Sequence, residues 1–138
     1  MYLSIGIDVV SIKRIKNIYE QFCEKFLKKI GIKEKNLKIE EIAGYFAAKE
    51  AGFKALRPVK EFFNPKEIDI IKKRGGAPAL VYKGNLKKRW GLLGRPHILF
   101  SITHEKDFAI AVVALEKKSN KMSFFKCRKK RSKLKGFS

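Results

Sequence analysis

Phe46-Ala47-Ala48-Lys49-Glu50-Ala51-Gly52-Phe53-Lys54 is the stretch on which the reading of this chain turns. It lies inside a run from about Ile39 to Leu56 whose apolar side holds Ile42, Phe46, Phe53 and Leu56 at helical spacing, and Pro58 sets the end. Within that helix Glu50 and Lys54 are four residues apart and share one face. Alone, such a pair is an ordinary helical ion pair. Around this one, Ala47, Ala48, Ala51 and Gly52 leave little side-chain bulk, so backbone or a ligand such as a phosphate can come close.

Upstream, residues 3–10 are β-branched and apolar around Gly6 and Asp8 and read as a short, largely buried strand. Asp8 is the anomaly, because an unpaired carboxylate in an apolar interior costs on the order of several kcal/mol. A cation or a strand-end position resolves this, and pairing with a Lys or Arg serves equally. Ser11 then caps a helix whose apolar positions Ile12, Ile15, Tyr19, Phe22, Phe26 and Ile30 recur at steps of three and four until Gly31 stops it. Downstream, Glu67 to Lys72 and Ala79 to Tyr82 flank the turn residues Gly75, Gly76 and Pro78 and suggest a hairpin. A short basic helix covers Asn85 to Trp90, and Ile98 to Thr103 and Phe108 to Leu115 are two more strands joined by the polar link His104 to Asp107.

The length of 138 residues suits one domain with one core, and eleven Phe supply enough apolar matter to offset backbone ordering. No apolar run approaches the roughly 18 residues a membrane span needs. The opening MYLSIGIDVV lacks the basic lead and small-residue cleavage site of a signal peptide, so a cytoplasmic location with no membrane partner is expected. Cys23 and Cys127 stand far apart without Cys-x-x-Cys spacing and read as free thiols. The net charge of +20 favours a polyanionic partner: nucleic acid, anionic lipid, nucleotide phosphates or an acidic protein. Its distribution narrows the choice. All 13 acids lie within residues 1–116 against 23 Lys and Arg, while residues 117–138 hold ten Lys and Arg and no acid. A domain over 1–116 and a solvated basic tail over 117–138 follow, the tail being a bland appendage, a lure for an acidic partner or a nucleic-acid patch.

Four segments, Gly6-Ile7-Asp8-Val9-Val10, the Phe46 to Lys54 helix, Gly76-Ala77-Pro78 and Ser101-Ile102-Thr103-His104, stand in an order and spacing that resemble the holo-acyl-carrier-protein synthases, short trimeric members of the 4'-phosphopantetheinyl transferase superfamily. The family's patterns are a Gly-x-Asp strand, a helix with an aromatic three before Lys-Glu-Ala and a Lys four after the Glu, a Gly-Lys-Pro turn, and a Ser-Ile-Thr-His-like strand end. The helix match is specific, Gly-x-Asp or Ser-Ile-Thr-His alone is weak, and the conjunction of the four decides the reading. Arg14 also falls where the family places a basic residue. The likeness covers about residues 4–116.

The resemblance implies an α+β fold, a small antiparallel sheet packed against two long helices, assembled as a homotrimer whose coenzyme A sites lie between subunits. It implies transfer of the 4'-phosphopantetheine of coenzyme A to a serine of acyl carrier protein, as in fatty acid biosynthesis, releasing adenosine 3',5'-bisphosphate. Asp8 and Glu50 would bind Mg²⁺ with the diphosphate. The chemistry agrees, since Mg²⁺ prefers hard oxygens and is usually held by one or two carboxylates plus substrate phosphates and water. Lys54 would meet the phosphates and leaving group, with Lys49 assisting, and Gly76, Pro78, Thr103 and His104 would contribute to the coenzyme A site. His97 is read as structural. Lys13, Arg14 and Lys16 would meet the acidic carrier, a contact that favours encounter rate. Glu50 or a metal-bound water would accept the serine proton.

Three positions depart from the family pattern. Ala77 replaces the Lys of Gly-Lys-Pro, Tyr45 replaces an Arg before the helix aromatic, and Leu56-Arg57-Pro58-Val59 replaces a common Gly-Thr-Gly, so the loop there must run differently. A degenerate transferase and a non-catalytic nucleic-acid binder are the alternatives. The second is disfavoured because the Phe residues mostly fall at core spacing instead of interleaving with basic residues on an exposed sheet.

Overall fold

Alternate residues of a strand face opposite sides, and in β1 (Tyr2–Ser11) the two sides differ sharply. Gly6, Asp8 and Val10 turn inward and are buried, whereas Ile5, Ile7 and Val9 turn outward and are exposed. The strand expected to be largely buried is therefore buried on one face only. This architecture comes from a computed structural model, which describes residues 2–118. The basic tail beyond Lys118 and Cys127 lie outside the described residues, and Cys23 is a free, exposed thiol.

β5 (Phe108–Glu116) pairs antiparallel with β1, setting Asp8 opposite Ala111, and β4 (His97–His104) pairs antiparallel with its other edge. The resulting three-stranded sheet has the order β1-β5-β4. Its inner face is lined along β5 by Ala109, Ala111, Val113 and Leu115, all fully buried. The long helix α3 (Ile39–Ala55) lies on that face, with Ala43, Ala47, Ala48, Ala51 and Ala55 fully buried. Small residues let the backbones meet. A Cβ at Gly6 would stand 1.9 Å from the Ala51 carbonyl oxygen, so this crossing accepts only glycine. The close approach also corrects the expected apolar stripe: Ile42 and Leu56 are buried, but the alanine face meets the sheet, and Phe46 and Phe53 sit half-buried at its margin.

Ser11 caps α1 (Ile12–Phe22) as expected, its Oγ accepting from the Arg14 amide at 3.2 Å. The helix then differs from expectation. It breaks at Cys23, which takes φ 46°, and resumes as α2 (Glu24–Ile30), ending at a left-handed Gly31 with φ 74°. Phe26 and Ile30 still turn inward past the break, which is why the apolar spacing runs through it without a sign. So only one of the two helices is long.

The hairpin forms from β2 (Ile68–Lys72) and β3 (Pro78–Tyr82) as a separate two-stranded sheet, so the β structure is in two pieces. The Tyr82 hydroxyl donates to the Gly52 carbonyl at 2.7 Å and fastens the hairpin to α3. α4 (Gly84–Leu92) follows, its first turn satisfied by the Glu67 carboxylate, which accepts from the Asn85 and Leu86 amides at 3.4 and 3.3 Å. Ile68, Leu80 and Leu86 join the core with Ile15 and Leu56, each fully buried aliphatic contributing about 1.5–3 kcal/mol.

Candidate active site

Because Gly6 brings β1 against α3, the next inward residue of the strand, Asp8, faces the same helix. Glu50 and Lys54 project from that helix one turn apart. Lys54 Nζ donates to Asp8 Oδ1 at 2.9 Å and to the Ile7 carbonyl at 3.2 Å. Asp8 is 8% exposed, and its other oxygen, Oδ2, is buried with no hydrogen-bond partner among the described residues. Glu50 lies beside it. Burial, first, and then the Asp8 carboxylate, both as an acceptor for a protonated Glu50 and as a like charge, push Glu50 up to about 7; Lys54 and Arg14 pull the other way. When both acids are ionised neither can donate to the other.

A buried anionic oxygen without a donor beside a second carboxyl is the environment a hard divalent cation resolves. Asp8 and Glu50 supply only two protein ligands. Among the described residues no group of three or more His, Cys, Asp or Glu converges, so the donor set fits a cation that completes its shell with phosphate and water better than one caged by protein.

The other expected site residues fall into three groups. Arg14, near enough to lower Glu50, is exposed on the first helix, and Lys13 and Lys16 are exposed on the same helix. His104 lies at the other end of α3, in an open cleft of about 740 Å³ with Lys38, Glu40, Glu41, Glu105 and Lys106. Thr103 is its neighbour but faces outward, in a cross-strand row with Ile110 and Val9. Gly76, at φ 84°, sits in the exposed hairpin turn, and Pro78 lines a separate groove with Trp90, His97 and Phe100, so one chain alone does not carry these two to Asp8. His97 meets Glu116 across β4 and β5, Nδ1 to Oε2 at 3.7 Å, in keeping with a structural part.

Lys49 corrects the expectation. Its side chain is 1% exposed and its ammonium donates to the carbonyls of Ile68, Pro65 at 3.0 Å and Gly31 at 3.5 Å. Burial lowers it to about 8, offset in part by Asp69 and Glu34. One residue along a helix is a turn of about 100°, so Lys49 points away from Glu50 and ties α3 to the hairpin side instead of reaching a ligand. Tyr45, in place of the family's Arg, is also buried, which raises its hydroxyl, with Glu34 and Glu41 adding to the shift.

The sequence pattern that defines the 4'-phosphopantetheinyl transferase superfamily matches residues 4–113. This chain belongs to that superfamily. A relative from Campylobacter hominis named holo-[acyl-carrier-protein] synthase is 41% identical over 122 residues, covering 81% of this chain and 96% of its own. The crystal structure of the Helicobacter pylori holo-[acyl-carrier-protein] synthase in complex with coenzyme A is 35% identical, with a TM-score of 0.68 over 81% of this chain and 99% of that one. The synthase from Neisseria meningitidis, 30% identical, superposes with a TM-score of 0.74 over 85% of this chain and 100% of that one. The α+β architecture is thus that of the family, and the paired acids sit within the matched span.

Missed from sequence were Phe63, whose ring packs 5.3 Å from Phe53 and 6.4 Å from Phe46, and Arg89, which reaches from α4 to the end of α3. Both act across the fold, and no local spacing marks them.

Proposed function

We infer that this chain is a holo-acyl-carrier-protein synthase that moves the 4'-phosphopantetheine of coenzyme A onto a serine hydroxyl of apo acyl carrier protein, leaving adenosine 3',5'-bisphosphate. The observation that carries the reading is the Asp8–Glu50 pair with its orphaned oxygen and adjoining Lys54, in a chain of this family. Asp8 and Glu50 would hold Mg²⁺, which neutralises diphosphate charge when bound. Lys54, half of its side chain open to solvent, meets the phosphates as a point charge and stabilises the charge that gathers on the leaving 5'-phosphate as the serine oxygen attacks the phosphorus that carries pantetheine and the P–O bond bridging the diphosphate breaks. Glu50, or a water on the bound ion, would accept the serine proton. His104 shares a cleft with Glu41, which by helical rise stands about 14 Å along α3 from Glu50, and would meet the nucleotide end of an extended coenzyme A. Lys13, Arg14 and Lys16 attract the acidic carrier beside these groups.

A homotrimer with shared sites is part of this reading. Its support is the outward face of the sheet, where Ile5, Ile7 and Val9 are 62%, 56% and 56% exposed and are continued by Ile110, Val112 and Ala114 of β5. Water does not favour such a stripe, and a neighbouring copy covers it. The projecting turn at Gly76 and Pro78 then contributes to a neighbour's cleft. Location stays with the observation that no described helix is long and apolar enough to cross a membrane.

The test is to incubate the chain with apo carrier protein, coenzyme A and Mg²⁺ and weigh the carrier. A mass gain of one phosphopantetheine group is expected. A carrier left unmodified, with Mg²⁺ and coenzyme A nonetheless bound, would point to a degenerate transferase.

A further inference from the structure

The sequence change after α3 has a counterpart across the fold. Helix C-termini leave carbonyls without partners, and a glycine in left-handed conformation commonly closes them. Here the closing residue is Arg57 at φ 50°, a conformation that costs a residue with a Cβ. Its amide bonds back to the Lys54 carbonyl at 3.0 Å, and the Leu56 amide to the Phe53 carbonyl at 3.2 Å. Of the carbonyls that follow, that of Ala55 accepts from the Ser4 hydroxyl of β1, and the next two are taken by one side chain from α4: Arg89 Nε donates to Leu56 O at 3.1 Å and Nη2 to Arg57 O at 3.0 Å. A rigid planar fork suits this double task, and its positive charge suits a helix C-terminus.

What Arg89 holds is next to the reacting groups. Lys54, the partner of Asp8, belongs to the turn whose carbonyls and amides are fixed this way. The loop that leaves the turn is tied again by Glu61, whose carboxylate accepts from the Val59 and Lys60 amides at 3.0 and 3.1 Å. It ends with Phe63 packed on Phe53 and Phe46. Phe46 and Phe53 are each three or four residues from both Lys49 and Glu50, so the loop's far end rests on α3 between those two side chains. The loop is thus fastened to α3 at both ends.

We propose that Arg89 is a positioning residue for phosphopantetheinyl transfer: its fork replaces the missing glycine cap of α3, fixes the turn that aims Lys54, and seats the 57–64 loop against α3. The proposal rests on the transferase reading above. Arg89 touches no reacting atom in this scheme; it acts through Leu56 and Arg57.

The experiment compares wild type with R89A, R89K, R57G and the double variant R89A/R57G, all at a temperature well below their melting points. For R89A, kcat falls about tenfold, in keeping with the cost of small displacements at a reacting centre. KM for the carrier, which docks on the first helix, stays within about twofold, and hydrogen exchange at the Leu56 and Arg57 amides quickens about tenfold or more. R89K remains impaired, because an ammonium cannot serve both carbonyls with one planar fork. R57G alone keeps wild-type turnover, and in the double variant it restores most of what R89A loses, because glycine takes the left-handed turn at no steric cost. Should R89A not fold, R89K and its pairing with R57G carry the same comparison. A kcat within twofold of wild type in R89A, a loss fully matched by a fall in folded fraction, or a double variant no better than the single one overturns the inference. Transfer absent from the wild type sinks the transferase reading and this role with it; transfer present in the wild type and unchanged in R89A overturns this inference alone.

Discussion

Lys49 and Lys54 stand five residues apart on one helix, and the sides of α3 they mark are put to opposite uses. Lys49 is sealed under three main-chain carbonyls and holds α2, the hairpin and α3 together. Lys54 is half exposed and holds a single carboxylate oxygen beside an orphaned one. On the first side the buried ammonium finds its partners inside the chain. On the second the chain leaves charges that only a ligand can finish. A buried lysine is thus no sign of a binding site, and a poorly satisfied carboxylate beside an open lysine is.

The largest expected effect falls on the structural side. Lys49→Met leaves up to three carbonyls without a donor in a dry environment and should cost roughly 3 kcal/mol or more, read as a lower denaturation midpoint or as insoluble protein. Wild-type stability with lost turnover in that variant would reverse the comparison and return Lys49 to the ligand. On the other side, Glu50→Gln should lower kcat by about a thousandfold or more while the melting temperature holds or rises, since it removes a ligand and proton acceptor and relieves repulsion at once. Lys54→Ala should cost less, about ten- to a hundredfold in kcat, because one point charge is lost from a phosphate-binding set. Steady-state assays with saturating coenzyme A and carrier separate these outcomes, and equal losses for the two variants would deny Glu50 its second role.

The chemistry of the site was more legible than its mechanics. Asp8 stood out because a carboxylate does not belong in an apolar strand, and Glu50 because a helix seldom surrounds an acid with so many alanines. Both signals are local. Their meeting depends on Gly6, whose missing side chain admits the Ala51 carbonyl, and a steric need of that kind appears only once helix and strand are set against each other. Lys49 was misread because it adjoins Glu50 in sequence, although a neighbour on a helix points about 100° away. The break at Cys23 carries no Gly or Pro to announce it, so two helices read as one. Outward Ile5, Ile7 and Val9 made β1 look largely buried on both faces, because apolar residues on an open sheet face and apolar residues in a core are the same letters. Arg89 and Phe63 act over long sequence separations, and spacing rules end there.

The smallest expected effect tests the unfinished side without any assay of transfer. In metal-free protein Glu50 is pushed up to about 7 from an ordinary 4.5 by burial and then by Asp8. An acid whose folded-state value is raised holds its proton better folded than unfolded, so its contribution to stability is full below about pH 4.5 and is lost as pH rises through about 7. The chain in chelator should therefore melt at a lower temperature at pH 8 than at pH 5.5, and Mg²⁺ should recover part of the loss at pH 8 by taking the place of the proton. Asp8→Asn removes the like charge and offers Glu50 an amide donor, at the expense of an ion pair that is half exposed on the lysine side. Its melting temperature at pH 8 in chelator should exceed that of the wild type by about 2–5 °C, the shift that about 1 kcal/mol makes in a domain of this size. Mg²⁺ should then do little for it. If the wild type melts alike at both pH values and Asp8→Asn is no more stable, the two carboxylates are not opposing each other, and the strain that a cation would relieve is not there.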